Sequence, residues 1–92
     1  VTILKKAIEF SSKDPEYWAL LGRIYGKIPN GNKAAEIAYT EAMQNDPEDA
    51  DYPTELGLLY ERYGQLKKAA EMFEKALRID PKHSTARRAL EN

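Results

Sequence analysis

An internal repeat constrains the fold of this chain more than any other feature. Residues 18–25 recur in altered form at 53–60, and residues 35–47 recur at 69–81. The offset is 35 residues for the first pair of segments (53 − 18 = 35) and 34 for the second (69 − 35 = 34). A period of this length is typical of helical repeats, in which each unit buries its apolar face only against its neighbours. The sequence therefore predicts an array of stacked helices.

The first copy has the pattern of two helices joined by a turn. Apolar residues within 18–25 fall at i, i+3 and i+7, the spacing of one helical face. Asp14 before Pro15 predicts a helix start, because aspartate caps helices well and proline suits the first turn. Pro29 predicts the end of this helix near Ile28. The extra residue of the first copy is placed in this turn.

The later helices follow the same plan. The third helix is expected to begin with Asp51 as its N-cap, so that Pro53 lies in the first turn, where its missing N–H costs little. Gly64 is expected to end it, and a return helix is predicted over 66–79. Ser84 is predicted to cap a last helix. With a further helix near the amino end, the prediction is an all-α fold of about six helices and essentially no strand.

The repeat also predicts the organisation of the domain. Residues 1–13 are interpreted as the return helix of a preceding repeat, 14–48 as the first full repeat, and 49–83 as the second. Residues 84–92 are interpreted as the start of a next or capping helix, so that 1–92 form one domain. Because the chain begins at Val1 without a methionine, we expect it to be a fragment of a longer protein.

Composition excludes several classes of function. The formal net charge is -1, from 14 basic and 15 acidic residues, so the chain lacks the basic field that a nucleic-acid phosphate backbone requires. No apolar run approaches the ~20 residues of a membrane-spanning helix. There are no cysteines, which removes disulfides, thiolate metal sites and cysteine nucleophiles.

No residue pattern indicates catalysis or cofactor binding. His83 is the single histidine; it lacks a partner at metal-ligand spacing and is interpreted as an exposed loop residue. Asp14, Asp46, Asp49 and Asp80 recur at the junctions between repeats, where helix capping accounts for them. We therefore predict no catalytic, cofactor or metal site, and predict that this domain is not an enzyme.

Two glycines in helix interiors indicate close packing. A glycine there costs ~1 kcal/mol relative to alanine, so Gly22 and Gly57 at matched positions need a reason. The prediction is that Gly22 faces Ala35 and Gly57 faces Ala69, with paired helices in close approach. The aromatic residues expected to fill the space beside these contacts are Trp18, Tyr25, Tyr39, Tyr60 and Phe73. Tyr17, Tyr52 and Tyr63 are expected to contribute to the surface.

The repeated residues resemble the tetratricopeptide repeat family. The pattern is Trp–x2–Leu–Gly–x2–Tyr, then alanine, an aromatic residue, alanine and a closing proline. The first copy matches at Trp18, Leu21, Gly22, Tyr25, Ala35, Tyr39, Ala42 and Pro47, and the second at Leu56, Gly57, Tyr60, Ala69, Phe73, Ala76 and Pro81. The clearest departure is Pro53, where the family usually has a large residue. The resemblance implies antiparallel helix pairs stacked in a right-handed superhelical solenoid, and a protein–protein interaction scaffold.

The resemblance also implies where a partner binds. In the family, the leading helix of each repeat lines a concave groove. The residues at these positions include Glu16, Leu20, Arg23, Lys27, Asp51, Glu55, Leu58, Arg62 and Arg88. Leucines between charges of both signs suit a partner peptide or amphipathic helix that has a hydrophobic anchor flanked by charges.

One ligand class of the family is not predicted. Members that bind acidic chaperone C-termini use a carboxylate clamp of lysines, asparagines and an arginine. The corresponding residues here are Ala19, Arg23, Glu55, Thr85 and Ala89, and none of them matches.

Two other interpretations stay open beside partner binding. The array could be a structural spacer or self-assembly unit that stacks through its terminal half-repeats. It could also be a domain associated with an enzyme whose catalytic part lies elsewhere. Partners on all three interpretations are proteins, with no cofactor.

Overall fold

The computed structural model describes residues 14–91, which contain five helices joined by short loops. The helices are α1 (Pro15–Gly26), α2 (Asn32–Asn45), α3 (Asp51–Arg62), α4 (Leu66–Ile79) and α5 (Ser84–Glu91). No strand occurs within this range, which confirms the all-α prediction. The sixth helix, expected near the amino end within 1–13, lies outside the described residues.

The chain forms two compact units that divide between Asp46 and Pro47. In the first unit α1 packs against α2, and the short loop between them makes the two helices antiparallel. In the second unit α3 packs against α4 in the same way, and α4 also packs against α5. Each unit therefore contains one helix pair of the predicted kind.

The first pair is built around one large aromatic residue and a row of alanines. Trp18 is 1% exposed and is the largest fully buried side chain of this pair. The buried residues of α2 are small except for one tyrosine: Ala34, Ala35, Ala38, Tyr39 and Ala42. Small side chains allow the two helix axes to come close, so that the aromatic groups fill what remains.

The close approach at the two helical glycines is confirmed, but each glycine faces an aromatic ring and not the predicted alanine. A Cβ added to Gly22 would lie 2.8 Å from Cζ of Tyr39, and one added to Gly57 would lie 2.6 Å from Cε1 of Phe73. The predicted facing residues, Ala35 and Ala69, are not the nearest atoms. Glycine is required because the return helix lays an aromatic ring across the leading helix.

The core of the second unit includes α5. Ala50, Ala69, Phe73, Ala76 and Ala86 form one buried cluster. Tyr60 is only half-buried and packs against the edge of this cluster, with the Lys68 ammonium 5.6 Å from its ring centroid. The assignment of Tyr52 to the surface was wrong, because Tyr52 is 4% exposed.

The two turns between paired helices use different left-handed residues. α3 ends in a Schellman motif: Gly64 has φ 76, its N–H donates to Glu61, and the N–H of Gln65 donates to Tyr60. α1 ends at Gly26, before the predicted Ile28, because the N–H groups of Lys27 and Ile28 bond three residues back and tighten the last turn.

The longer turn of the first pair, 27–31, continues with a β-turn. The N–H of Gly31 donates to the Ile28 carbonyl at 2.9 Å, with Pro29 and Asn30 between them. Asn30 has φ 63, as the third residue of a type II turn requires. Gly31 has φ -92, an ordinary value, but a Cβ there would collide with the Tyr25 carbonyl oxygen. Glycine is needed at this position for space.

Aspartates stabilise the helix starts in two ways. Asp14 is the N-cap of α1, and its side chain accepts the Glu16 N–H at 3.0 Å, as predicted. The prediction that Asp51 caps α3 was wrong, since Ala50 holds that position. The Asp49 side chain accepts the Asp51 N–H at 2.9 Å instead, which fixes the turn before the helix.

Candidate protein-binding surfaces

The exposed face of α1 carries the four residues predicted there for binding. Glu16, Leu20, Arg23 and Lys27 lie within about three turns of one another along this helix. Leu20 is 50% exposed, which is unusual for a leucine in a helix that buries a tryptophan on its other side. Arg23 Nη1 donates to Glu16 Oε1 at 2.9 Å. The face therefore combines an apolar side chain with an exposed ion pair.

The equivalent face of α3 also mixes an apolar side chain with charged ones. Leu58 is 37% exposed, Asp51 and Arg62 are exposed, and Glu55 is half-buried. Leu58 holds the position that Arg23 holds in α1 (58 − 23 = 35). The two faces thus offer leucines at different heights along their helices.

Some positions that the family resemblance places on this surface are buried. Ala19 is fully buried, and Gly26 and Thr54 are also buried. The Thr54 hydroxyl donates to the Ala50 carbonyl at 2.8 Å, so that its polar group is satisfied within the helix. These three positions therefore expose little surface, and the longer side chains beside them form the exposed part of each face.

His83 has a structural role that the sequence did not indicate. Its side chain is 16% exposed, so the interpretation as an exposed loop residue was wrong. Nε2 lies 2.7 Å from Asp51 Oδ1, and Nδ1 accepts the Ala86 N–H at 3.3 Å. The tautomer with hydrogen on Nε2 satisfies both contacts.

These contacts make His83 the capping residue of α5, where Ser84 was predicted. They also tie the start of α5 to the start of α3 through Asp51, one of the predicted binding residues.

Arg88 lies on a basic face of α5. It lines an open depression of about 260 Å³ together with Lys82, Ser84, Arg87 and Glu91. All five residues are exposed. No carboxylate among residues 14–91 forms an ion pair with Lys82, Arg87 or Arg88.

An apolar cleft lies elsewhere in the second unit, between α3, α4 and α5. Its volume is about 220 Å³, and its lining residues are Glu61, Leu66, Ala69, Ala70, Phe73, Ala89 and Leu90. Leu66 is 64% exposed and Leu90 is 37% exposed. Sequence analysis missed this cleft, because both leucines have the spacing of ordinary core positions.

Chemistry of other kinds finds little support in the described part of the chain. Residues 14–91 hold no group of three or more histidines or carboxylates placed to bind a metal ion. Every buried side-chain nitrogen and oxygen in that range has a hydrogen-bond partner. None of the helices there has the length and apolar character needed to cross a membrane.

Comparison with known families gives one match. Residues 54–83 match the family model of the tetratricopeptide repeat. The matched segment begins within α3, includes all of α4 and ends at His83, so it spans the second helix pair.

Curated relatives are similar to the chain over most of its length. A probable UDP-N-acetylglucosamine–peptide N-acetylglucosaminyltransferase SPINDLY of Solanum lycopersicum is 35% identical over 91 residues, which is 98% of this chain and 10% of that protein. Anaphase-promoting complex subunit 3 of Schizosaccharomyces pombe is 31% identical over 86 residues, 94% of this chain and 13% of that protein. The general transcriptional corepressor ssn6 of the same yeast is 34% identical over 76 residues, or 80% and 7%. The chain thus spans about a tenth of the length of these relatives.

Proposed function

Because this chain belongs to the tetratricopeptide repeat family, we propose that it is a protein-binding domain in which the exposed face of α1 and the exposed face of α3 each contact a partner protein. Membership of the family supports a protein-interaction scaffold in general. The transferase named among the relatives matches over only 10% of its length, so the match gives no ground to assign its catalytic activity to this chain.

The observation that carries the proposal is the exposure of Leu20 and Leu58 among charged residues. Leu20 is 50% exposed and Leu58 is 37% exposed. If a partner covers them, the binding free energy becomes more favourable by roughly 25 cal/mol per Å² of apolar area buried. The neighbouring charges, Glu16 and Arg23 on α1 and Arg62 on α3, have both signs. The partner that fits is a peptide or amphipathic helix with an apolar anchor between charges of both signs.

Charge reversal and leucine replacement test this proposal. Binding partners are captured on the immobilised chain, identified by mass spectrometry, and then measured one at a time by calorimetry. Leu58→Asp and Arg23→Glu are each expected to reduce the affinity for a genuine partner by about tenfold or more, since burying an unpaired charge costs several kcal/mol. Leu66→Asp is the matched control, because Leu66 is equally apolar and more exposed but lies outside both faces.

Circular dichroism must first show that each variant keeps the helical content of the parent. If folded Leu58→Asp and Arg23→Glu both bind every captured partner as well as the parent does, the faces of α1 and α3 are not the binding surface.

Self-association is a second candidate function, favoured by the apolar cleft in the second unit. Leu66 and Leu90 expose apolar surface there that a second copy would cover. A dilution series in the analytical ultracentrifuge decides this: a concentration-dependent dimer that Leu66→Asp abolishes supports it. A monomer at high concentration removes it and leaves partner binding as the function.

A further inference from the structure

The charged face of α5 corresponds to faces of α1 and α3 that are buried. Arg87 holds the repeat position of Trp18 and Pro53 (53 − 18 = 35, 87 − 53 = 34), both of which are almost completely buried. Arg88 follows it at the position of Ala19 and Thr54, which are buried as well. α1 and α3 each pack against a return helix, whereas Arg87 and Arg88 of α5 border the open depression of about 260 Å³.

A return helix of the same kind cannot pack on this face of α5. Glu91 holds the position of Gly22 and Gly57 (91 − 57 = 34). At Gly57 even a Cβ would come within 2.6 Å of the Phe73 ring, so a glutamate leaves no room for such a ring. Apolar side chains would also strip water from two arginines without offering them a partner, which costs several kcal/mol for each buried charge.

The charges around the depression select the occupant. Lys82, Arg87 and Arg88 contribute three positive charges to its lining and Glu91 one negative charge. This local excess of cations stands out in a chain whose formal net charge is -1. Since the three cations form no ion pair within residues 14–91, a ligand with carboxylates meets them without first breaking a bond.

We propose that this face of α5 is a docking surface for an acidic segment of a partner protein, with carboxylates paired to Lys82, Arg87 and Arg88. The inference goes beyond the proposed function, because Lys82 and Arg87 do not belong to the faces of α1 and α3. Arg88 lines the depression and was also predicted for the groove, so the experiment uses Lys82 and Arg87.

The test is a titration followed by amide NMR chemical shifts of the 92-residue chain. The probe is a synthetic helical peptide of about 14 residues, the length of α2 and α4, with glutamates four residues apart on one face. The matched probe carries glutamine in place of every glutamate. The acidic peptide is expected to shift the amides of residues 82–91 and to bind about tenfold or more tightly than its glutamine counterpart.

Variants localise the effect. Arg87→Glu and Lys82→Glu are each expected to reduce the affinity for the acidic peptide by about tenfold, because reversing the charge replaces attraction by repulsion. Lys67→Glu is the control of equal charge change, since Lys67 is exposed at the start of α4 and does not line the depression. All three exposed sites are expected to tolerate substitution, and circular dichroism checks this.

Each of these peptide results would overturn the proposal: no binding of the acidic peptide, equal binding of the glutamine peptide, shifts confined to α1 and α3, or an equal loss from Lys67→Glu. Inorganic phosphate is a separate arm. If it shifts the same amides and displaces the peptide at comparable concentration, the face is a general anion site and the proposal fails. The partner-capture results for Leu58→Asp and Arg23→Glu are independent of each of these outcomes.

Discussion

Trp18 in α1 and Pro53 in α3 occupy the same repeat position, and both are almost completely buried. The tryptophan fills its site with an aromatic side chain, whereas the proline is the third residue of α3, where no intrahelical partner for its N–H is lost. The position therefore requires burial and does not require an aromatic group.

The same contrast extends along both helices. Tyr17 and Ile24 of α1 are 38% and 47% exposed, while their equivalents Tyr52 and Leu59 of α3 are 4% and 3% exposed. Residue type is nearly the same at each position, so apolar character does not decide which face is covered. The surroundings of each helix do.

Truncation of Trp18 is expected to have the largest effect. Trp18→Ala removes the largest buried side chain of the first pair and should destabilise the chain by ~3–5 kcal/mol, as large aromatic truncations in cores do. Pro53→Ala is the matched change in the second pair and should cost about 1 kcal/mol, since far fewer atoms are removed and proline mainly restricts the unfolded chain. Urea unfolding followed by circular dichroism measures both.

The control is the slope of each unfolding curve, which must stay that of the parent for the midpoints to be compared. An unchanged midpoint for Trp18→Ala would show that the packing of the first pair has been misassigned.

The helical glycines are expected to rank second. Gly22→Leu and Gly57→Leu should each destabilise the chain by ~1–3 kcal/mol through overpacking against the rings of Tyr39 and Phe73. Helix propensity alone predicts the opposite sign, because leucine is more favourable than glycine in a helix interior by just under ~1 kcal/mol. The sign of the change in thermal midpoint therefore separates the two effects.

Gly57 should be the more sensitive of the pair, since its added Cβ would lie 2.6 Å from a ring carbon against 2.8 Å at Gly22. If either leucine variant is more stable than the parent, the ring does not press on the glycine in solution.

The turns give a third, smaller comparison. Gly64→Ala should destabilise the second pair by about 1 kcal/mol, because φ 76 is unfavourable for any residue with a Cβ. Asn30→Gly should be neutral or slightly stabilising, because it relieves the same conformation, φ 63, in the first pair. Thermal unfolding of both variants checks the opposite signs, and a loss at Asn30→Gly would show that its side chain has a role of its own.

The sequence was most informative where one local rule decides the outcome. Proline and glycine positions predicted the bounds of α4 correctly and the start of α1 at Pro15, and helical spacing identified Trp18 and Phe73 as core. These features depend on residues close in the chain or on the repeat itself, so a single sequence contains enough to predict them.

Features that depend on distant partners could not be predicted in this way. The link between His83 and Asp51 joins residues 32 positions apart, and helix spacing carries no trace of it. The space that Gly31 needs is set by the Tyr25 carbonyl, which depends on how the turn closes. On the candidate surfaces, the family resemblance predicted Leu20 and Leu58 at exposed positions, and both are exposed; whether a partner covers them depends on another molecule.

The smallest expected effect concerns two equivalent carboxylates that have different partners. Glu16 of α1 pairs with Arg23 at 2.9 Å, whereas Asp51 of α3 lies 2.7 Å from His83, because Leu58 replaces the arginine. Glu16→Gln should cost only ~0.2–0.5 kcal/mol, since both side chains are well exposed and water screens their attraction. Asp51→Asn should cost more, about 1 kcal/mol, because its partner His83 is 16% exposed and also caps α5.

Unfolding in low and high salt measures both: added salt should erase the effect of Glu16→Gln, as the Debye length shrinks to about 3 Å at 1 M, and should leave most of that of Asp51→Asn. Equal losses that salt removes alike would show that the histidine contact is an ordinary surface ion pair and that α5 is held by its apolar face alone.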